Sequence, residues 1–193
     1  MMSEREEPVP AIHIRAATPS DAASIAAVHI TSWRETYAGL MPDAMLNALS
    51  VSDRTERWIR ILGEDINPAD PSVFVAEQEG DVVGFVSGGE QRDQALRAQG
   101  ATGEITAIYV LRRVQRQRLG SRLMGAAARA FCDRGHQAAS LWVLRDNLPA
   151  RRFYERLGGE VVGEKEDHSE AGTLVELAYF WRDLCNLAVH FEQ

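Results

Sequence analysis

The sequence predicts a single α/β domain on one mixed sheet of about seven strands, in the order β-α-α-α-β-β-β-α-β-α-β-β. Three observations predict it. Short stretches alternate apolar and polar residues, as Ile12 and Ile14 do against His13 and Arg15, and read as strands. Longer stretches repeat apolar residues at helical spacing between recognisable start and stop signals. The strands near 104–110 and 140–144 are joined through a helix, which calls for a parallel pair. A length of 193 residues buries one ordinary core without needing a second.

Residues 1–11 read as a loose leader, 12–187 as the domain and 188–193 as a tail. The first strand covers 12–17. Thr18 caps the helix after it, with Pro19 at its first position, Asp21 closing a Thr-x-x-Asp pattern, and Ala22, Ala26, Ile30, Trp33 and Tyr37 along one face. Pro42 opens a short helix through Leu49, and Ser52 caps a third whose buried stripe is Trp58, Ile59 and Leu62. Strands at 72–77 and 82–88 form a hairpin across Gln78-Glu79-Gly80-Asp81. The stretch 90–103 is polar and reads as a loop. A strand at 104–110 leads to a helix at 119–131 carrying Leu119, Leu123, Ala127 and Phe131 every fourth residue and stopping at Gly135. After a strand at 140–144, Pro149 opens a helix with Ala150, Phe153, Tyr154 and Leu157 on one side, ending at Gly158. Strands near 160–165 and 174–181 finish the domain.

The composition is 45% hydrophobic and 25% charged, which excludes disordered and fibrous classes. The acidic start and short apolar runs exclude a signal peptide and a membrane span, so a cytoplasmic protein that contacts no membrane is expected. Cys132 and Cys185 are too few for a disulfide framework and lack zinc-site spacing, so free thiols in a reducing compartment and no metal are expected. A net charge of -7 argues against nucleic acid as a partner.

The segment from Tyr109 to Ser121 runs from strand through turn into helix. The first N–H groups of a helix have no intrahelical partner and sit at the positive end of its dipole, a ready site for phosphate. Gly120 lets backbone and phosphate come close. These residues resemble the pyrophosphate loop of the GNAT superfamily of N-acetyltransferases, Gln/Arg-x-x-Gly-x-Gly/Ala: Gln115, Leu119 and Gly120 fit, while Arg118 stands where the first glycine is usual. An arginine holds this turn without strain only if its φ is negative. A second segment, from Trp142 to Gly158, resembles the superfamily's Asn-x-x-Ala-x-x-Phe/Leu-Tyr-x-x-x-Gly motif with every named position filled.

That resemblance implies a GNAT-like fold with a splayed parallel pair at its centre and acetyl-CoA as co-substrate. The acetyl group would pass to a primary amine by direct attack in a ternary complex. It implies that Gln115, Arg116, Gln117, Arg118, Leu119, Gly120 and Ser121 bind the pyrophosphate, that main-chain groups around Ile108, Tyr109 and Val110 hold the pantetheine arm, and that Asn147 and Phe153 complete the cofactor site. Tyr154 would protonate the departing thiolate, which suits a phenol. Glu104, eleven residues before Gln115, would take the amine's proton, since a lysine-like amine with a pKa of about 10.4 is mostly charged at neutral pH. Trp33 and Tyr37 would line the acceptor pocket, with His29 a packed polar residue and His168 a weak candidate in the late hairpin.

The acceptor stays open between small-molecule amines and peptide or protein amines, and a homodimer is possible for such domains. A non-catalytic acyl-CoA sensor is the alternative function. A covalent route through cysteine is disfavoured, because neither cysteine falls near the thioester.

Overall fold

The computed structural model describes residues 11–64, 72–169 and 172–190. Seven strands form one sheet in the order β1-β2-β3-β4-β5-β7-β6. They are β1 (Ile12–Ala16), β2 (Val73–Gln78), β3 (Asp81–Glu90), β4 (Gly103–Val110), β5 (Ala139–Leu144), β6 (Glu160–Ser169) and β7 (Gly172–Trp181). Every neighbouring pair is antiparallel except β4 and β5, as the helical connection requires. The β2–β3 turn places Glu79 at φ 53° and Gly80 at φ 89°, a two-residue turn with both centres left-handed.

Helices cover both faces. On one, α1 (Ala22–Tyr37) and α3 (Val51–Glu64) press Ile25, Ala26, Val28, Trp58 and Leu62 onto Val73, Val75 and Phe85, with the short α2 (Asp43–Asn47) between them in sequence. On the other, α5 (Leu119–Asp133) sets Leu119, Leu123, Met124 and Phe131 against Val83, Val86, Leu141 and Val143. The α6 helix (Leu148–Arg156) adds Tyr154, and α7 (Leu184–His190) adds Leu184, Leu187 and Ala188 to this core. Among the described residues no helix is long and apolar enough to cross a membrane.

A bulge in the middle of the sheet decides which face each β4 side chain takes. Ser87 faces Ala107 but Gly88 faces Ile105, so Thr106 is an extra residue in β4, its hydroxyl 2.8 Å from that of Ser87. Such an insertion kinks a strand and reverses the alternation of its side chains. Ile105 accordingly packs with α5, whereas Ala107 and Tyr109 pack with α1 and α3.

Several local expectations are corrected. Cys132 and Cys185 are joined in a disulfide, their Cα atoms 5.8 Å apart. Spacing along the chain could not show this, because the pairing depends on α7 docking beside the end of α5, and α7 itself carries too short an apolar pattern to read. The stretch after β3 is not all loop: Asp93 caps α4 (Gln94–Ala98) by accepting from the N–H groups of Ala95 and Leu96. The α3 cap is Ser50, whose hydroxyl accepts from Asp53 N–H at 3.2 Å, rather than Ser52. Ile59 points to solvent with 53% exposure, and Ile61 takes its place beside the core.

Candidate active site

The parallel pair β4–β5 is joined only at Gly103↔Ala139 and Glu104↔Ser140. Beyond these residues the strands separate, while β4 stays paired to β3 through Val110 and β5 to β7 through Leu144. Main-chain N–H and C=O groups on the facing edges of Ile105–Val110 and Leu141–Leu144 are therefore free of sheet bonds, and such groups require partners. The opening is a slot lined by peptide donors and acceptors, suited to an extended chain of amides.

At the wide end of the slot β4 runs through one tight turn (Arg112–Val114) into α5. Gln115 donates from Nε2 to the Val110 carbonyl at 3.0 Å and folds the loop back on the strand. Arg116 and Arg118 hold φ values of 65° and 58°. The turn therefore needs left-handed backbone at Arg118, contrary to the negative φ that would spare it strain, and Arg116 shares this demand. Arg122 N–H bonds the Arg118 carbonyl as the helix begins, which leaves the N–H groups of Leu119, Gly120 and Ser121 at its open end. Gly120 has a second duty. A Cβ there would meet the Phe153 ring at 3.1 Å, so the glycine admits α6 close beside α5. Phe153, expected at the cofactor, owes its position to this packing.

Asn147 is 5% exposed and caps α6, its Oδ1 accepting from Ala150 N–H at 3.3 Å. Seven residues on, the Tyr154 ring lies in the core against Tyr179 and Trp181, at 5.6 and 5.9 Å between centroids. Burial pushes its phenol well above the ordinary tyrosine value, with the charges of Tyr37 and Tyr179 adding. The group is thus a neutral donor at physiological pH.

Across the sheet Trp33 and Tyr37 stand 5.3 Å apart at the end of α1. The Tyr37 hydroxyl meets that of Tyr109 at 3.3 Å. Burial raises the Tyr37 phenol, the contact with Tyr109 opposes this, Glu176 raises it and Asn147 lowers it again. Tyr37 thus senses Tyr109 on β4, Glu176 on β7 and Asn147 before α6, and its own field reaches Tyr154. Glu104 is elsewhere. It sits at the paired end of β4, 7% exposed, with Oε1 2.7 Å from Arg92 Nη2 and Oε2 accepting from Arg92 Nε at 3.0 Å and Arg92 N–H at 3.1 Å. His168 is exposed, near Glu166 and Thr173 at the far end of the β6–β7 ribbon.

The sequence profile of the acetyltransferase (GNAT) family matches residues 32–159. The chain belongs to that family. It is 34% identical over 178 residues to an uncharacterized N-acetyltransferase, YuaI, of Bacillus subtilis, covering 91% of this chain and 96% of the relative. In fold it is similar to the PaiA N-acetyltransferase of Thermoplasma acidophilum, solved with coenzyme A (TM-score 0.63, 18% identity, 86% of this chain and 98% of that one). It is also similar to the acetyltransferase YncA of Salmonella typhimurium, solved with acetyl-CoA (TM-score 0.64, 20% identity, 89% and 94%).

This GNAT protein is an acetyl-CoA-dependent N-acetyltransferase with the mixed sheet of its family. Its structure brings Tyr154, Asn147, Tyr37, Tyr109 and Trp33 to one region and leaves Glu104 at the closed end of the slot. Sequence reasoning missed Glu176 and Arg54, which come near the aromatic group only through strand pairing and the α1–α3 contact. His29 gave a partial signal as a polar residue on the apolar face of α1.

Proposed function

We propose that the acetyl group of acetyl-CoA passes to an amine by direct attack within a complex of enzyme and both substrates. The observation that carries this is the slot itself: two parallel strands that part after Glu104 and Ser140, with a helix N-terminus at one end and the Tyr154 phenol near enough to Tyr109 on β4 to act on it. The N–H groups of Leu119, Gly120 and Ser121, with the main chain and side chains of Gln115, Arg116, Gln117 and Arg118, would hold the pyrophosphate. Edge groups at Ile108, Tyr109 and Val110 would bond the pantetheine amides, Val110 through its N–H because Gln115 holds its carbonyl, and Asn147 would meet the same arm. Attack on the thioester carbonyl releases a thiolate, and Tyr154, kept protonated by burial, donates to it as its charge develops.

Trp33 and Tyr37 would form the wall on which the acceptor rests. The family resemblance casts Glu104 as the group that takes the amine's proton. Its two oxygens are committed to Arg92, an arrangement that favours a role in fixing the β3–α4 junction instead. The test is release of free CoA thiol from acetyl-CoA across a panel of amines, together with calorimetric titration of acetyl-CoA. Binding with amine-dependent thiol release is expected. Tight binding without turnover on any amine would instead support the acyl-CoA sensor.

A further inference from the structure

Four buried side-chain atoms among the described residues have no hydrogen-bond partner: His29 Nδ1, Ser32 Oγ, Trp33 Nε1 and Trp58 Nε1. They are neighbours. The His29 ring lies 5.7 Å from that of Trp33 and 6.1 Å from that of Trp58, and Ser32 stands one turn along α1 from His29. The Trp33 indole is close enough to the Tyr109 phenol to lower its pKa, but outside hydrogen-bond geometry. His29, Ser32 and Trp58 are 8%, 2% and 3% exposed, so bulk water does not satisfy them. Indole nitrogens only donate, and a hydroxyl can donate as well, so the group is rich in donors for which no protein acceptor stands in hydrogen-bond geometry.

The charge beside them has the matching sign. The Arg54 guanidinium lies 5.7 Å from the centre of the Trp33 ring. The groups that act on its charge are burial, which lowers its pKa, then Arg57, which lowers it further, and the Tyr109 phenol; no carboxylate is among them. A partly buried guanidinium next to a second cation is uncomfortable without an anion. Arg54 also stands in the first turn of α3, where the helix dipole is positive. Near Tyr37 the field is negative: Glu176 lies close enough to raise its phenol.

We infer that the acceptor is an amine that also bears a carboxylate, an amino-acid-like molecule. Its carboxylate is held by Arg54 and the indole N–H groups of Trp33 and Trp58, and its amine lies towards Tyr37 and Tyr154. Arg57 adds longer-range attraction. This rests on the acetyltransferase reading of the slot and narrows the class of its acceptor.

Matched pairs test it, each an amino acid and the amine left when its carboxylate is removed: phenylalanine with phenethylamine, leucine with isopentylamine. The readout is kcat/KM from thiol release, with acetyl-CoA binding measured separately by calorimetry. A preference of about tenfold or more for the amino acid is expected, and Arg54→Gln should bring the ratio close to one. Trp58→Phe, which keeps an aromatic side chain and removes the N–H, should raise KM for the amino acid and alter kcat little. Equal rates within each pair, an Arg54→Gln variant that lowers both members alike, or amines turned over while amino acids are not, would overturn the inference and leave the acetyltransferase reading in place. Failure of acetyl-CoA to bind would overturn both, and calorimetry identifies that case.

Discussion

The hydroxyl groups of Tyr37 and Tyr109 lie 3.3 Å apart, joining the last turn of α1 to β4 at the stretch where β4 has lost its parallel neighbour. A strand edge without a partner is free to move unless something else restrains it. Here the restraint comes from the helix that also carries Trp33, so the aromatic pair on α1 and the opening between β4 and β5 share one set of contacts.

Replacement of Tyr154 by phenylalanine keeps the ring against Tyr179 and Trp181 and removes only the hydroxyl. A donor that acts on the leaving thiolate contributes to kcat more than to binding. Steady-state kinetics should show kcat lowered by about 100-fold or more with the KM for acetyl-CoA changed little. An unchanged kcat would remove Tyr154 from the chemistry.

Glu104→Gln separates an ion-pair role from a base. The variant loses the charge that holds Arg92, and urea unfolding should show a loss of about 1–2 kcal/mol. An ion-pair role predicts that kcat/KM keeps its acidic limb in the variant. Disappearance of that limb in the variant would restore Glu104 as the base.

At Arg118 the backbone holds φ 58°, which an L-residue adopts at a cost that glycine avoids. Arg118→Gly should therefore stabilise the protein by about 1 kcal/mol, a rise in Tm of about 2–4 °C by calorimetry. The same change withdraws a guanidinium from the phosphate loop, and coenzyme A should bind more weakly. A rise in stability with a fall in affinity is the expected pair.

His29 sets the acid limit of stability. Burial, with Arg54 and Arg57 adding, pushes its pKa down to about 3 from an ordinary value near 6.5. The unfolded chain then binds a proton that the folded chain refuses between these values, so stability is full above pH of about 6.5 and falls as the pH drops towards 3. The contribution of this one residue approaches about 1.4 kcal/mol per pH unit inside the window. Chemical denaturation at pH 7 and pH 4.5 should show the decline, and His29→Leu should flatten it.

The succession of strands and helices along the chain, the helix-linked parallel pair and the two motifs around Gly120 and Tyr154 were legible because each rests on a local signal: a period, a cap, a fixed spacing. The helix at 94–98 was not, since one turn carries no periodicity and its start depends on a single aspartate. Ile59 and Ile61 show a similar limit, as both are apolar on the same helix and only the angle at which α3 meets the sheet decides which is covered. The aromatics Trp33 and Tyr37 were legible on α1, whereas Arg54 and Glu176 were not, because their positions beside these rings arise from packing between elements far apart in sequence. The positive φ of Arg116 and Arg118 could not be read from residues that ordinarily avoid it.

The bond between Cys132 and Cys185 spans 53 positions and encloses β5, α6, β6 and β7 in one covalent ring. Three of the seven strands belong to that ring, as do Asn147, Tyr154 and Glu176. A protease cut anywhere within it opens the chain without releasing a fragment, so the two pieces would separate on a denaturing gel only after a reductant has been added.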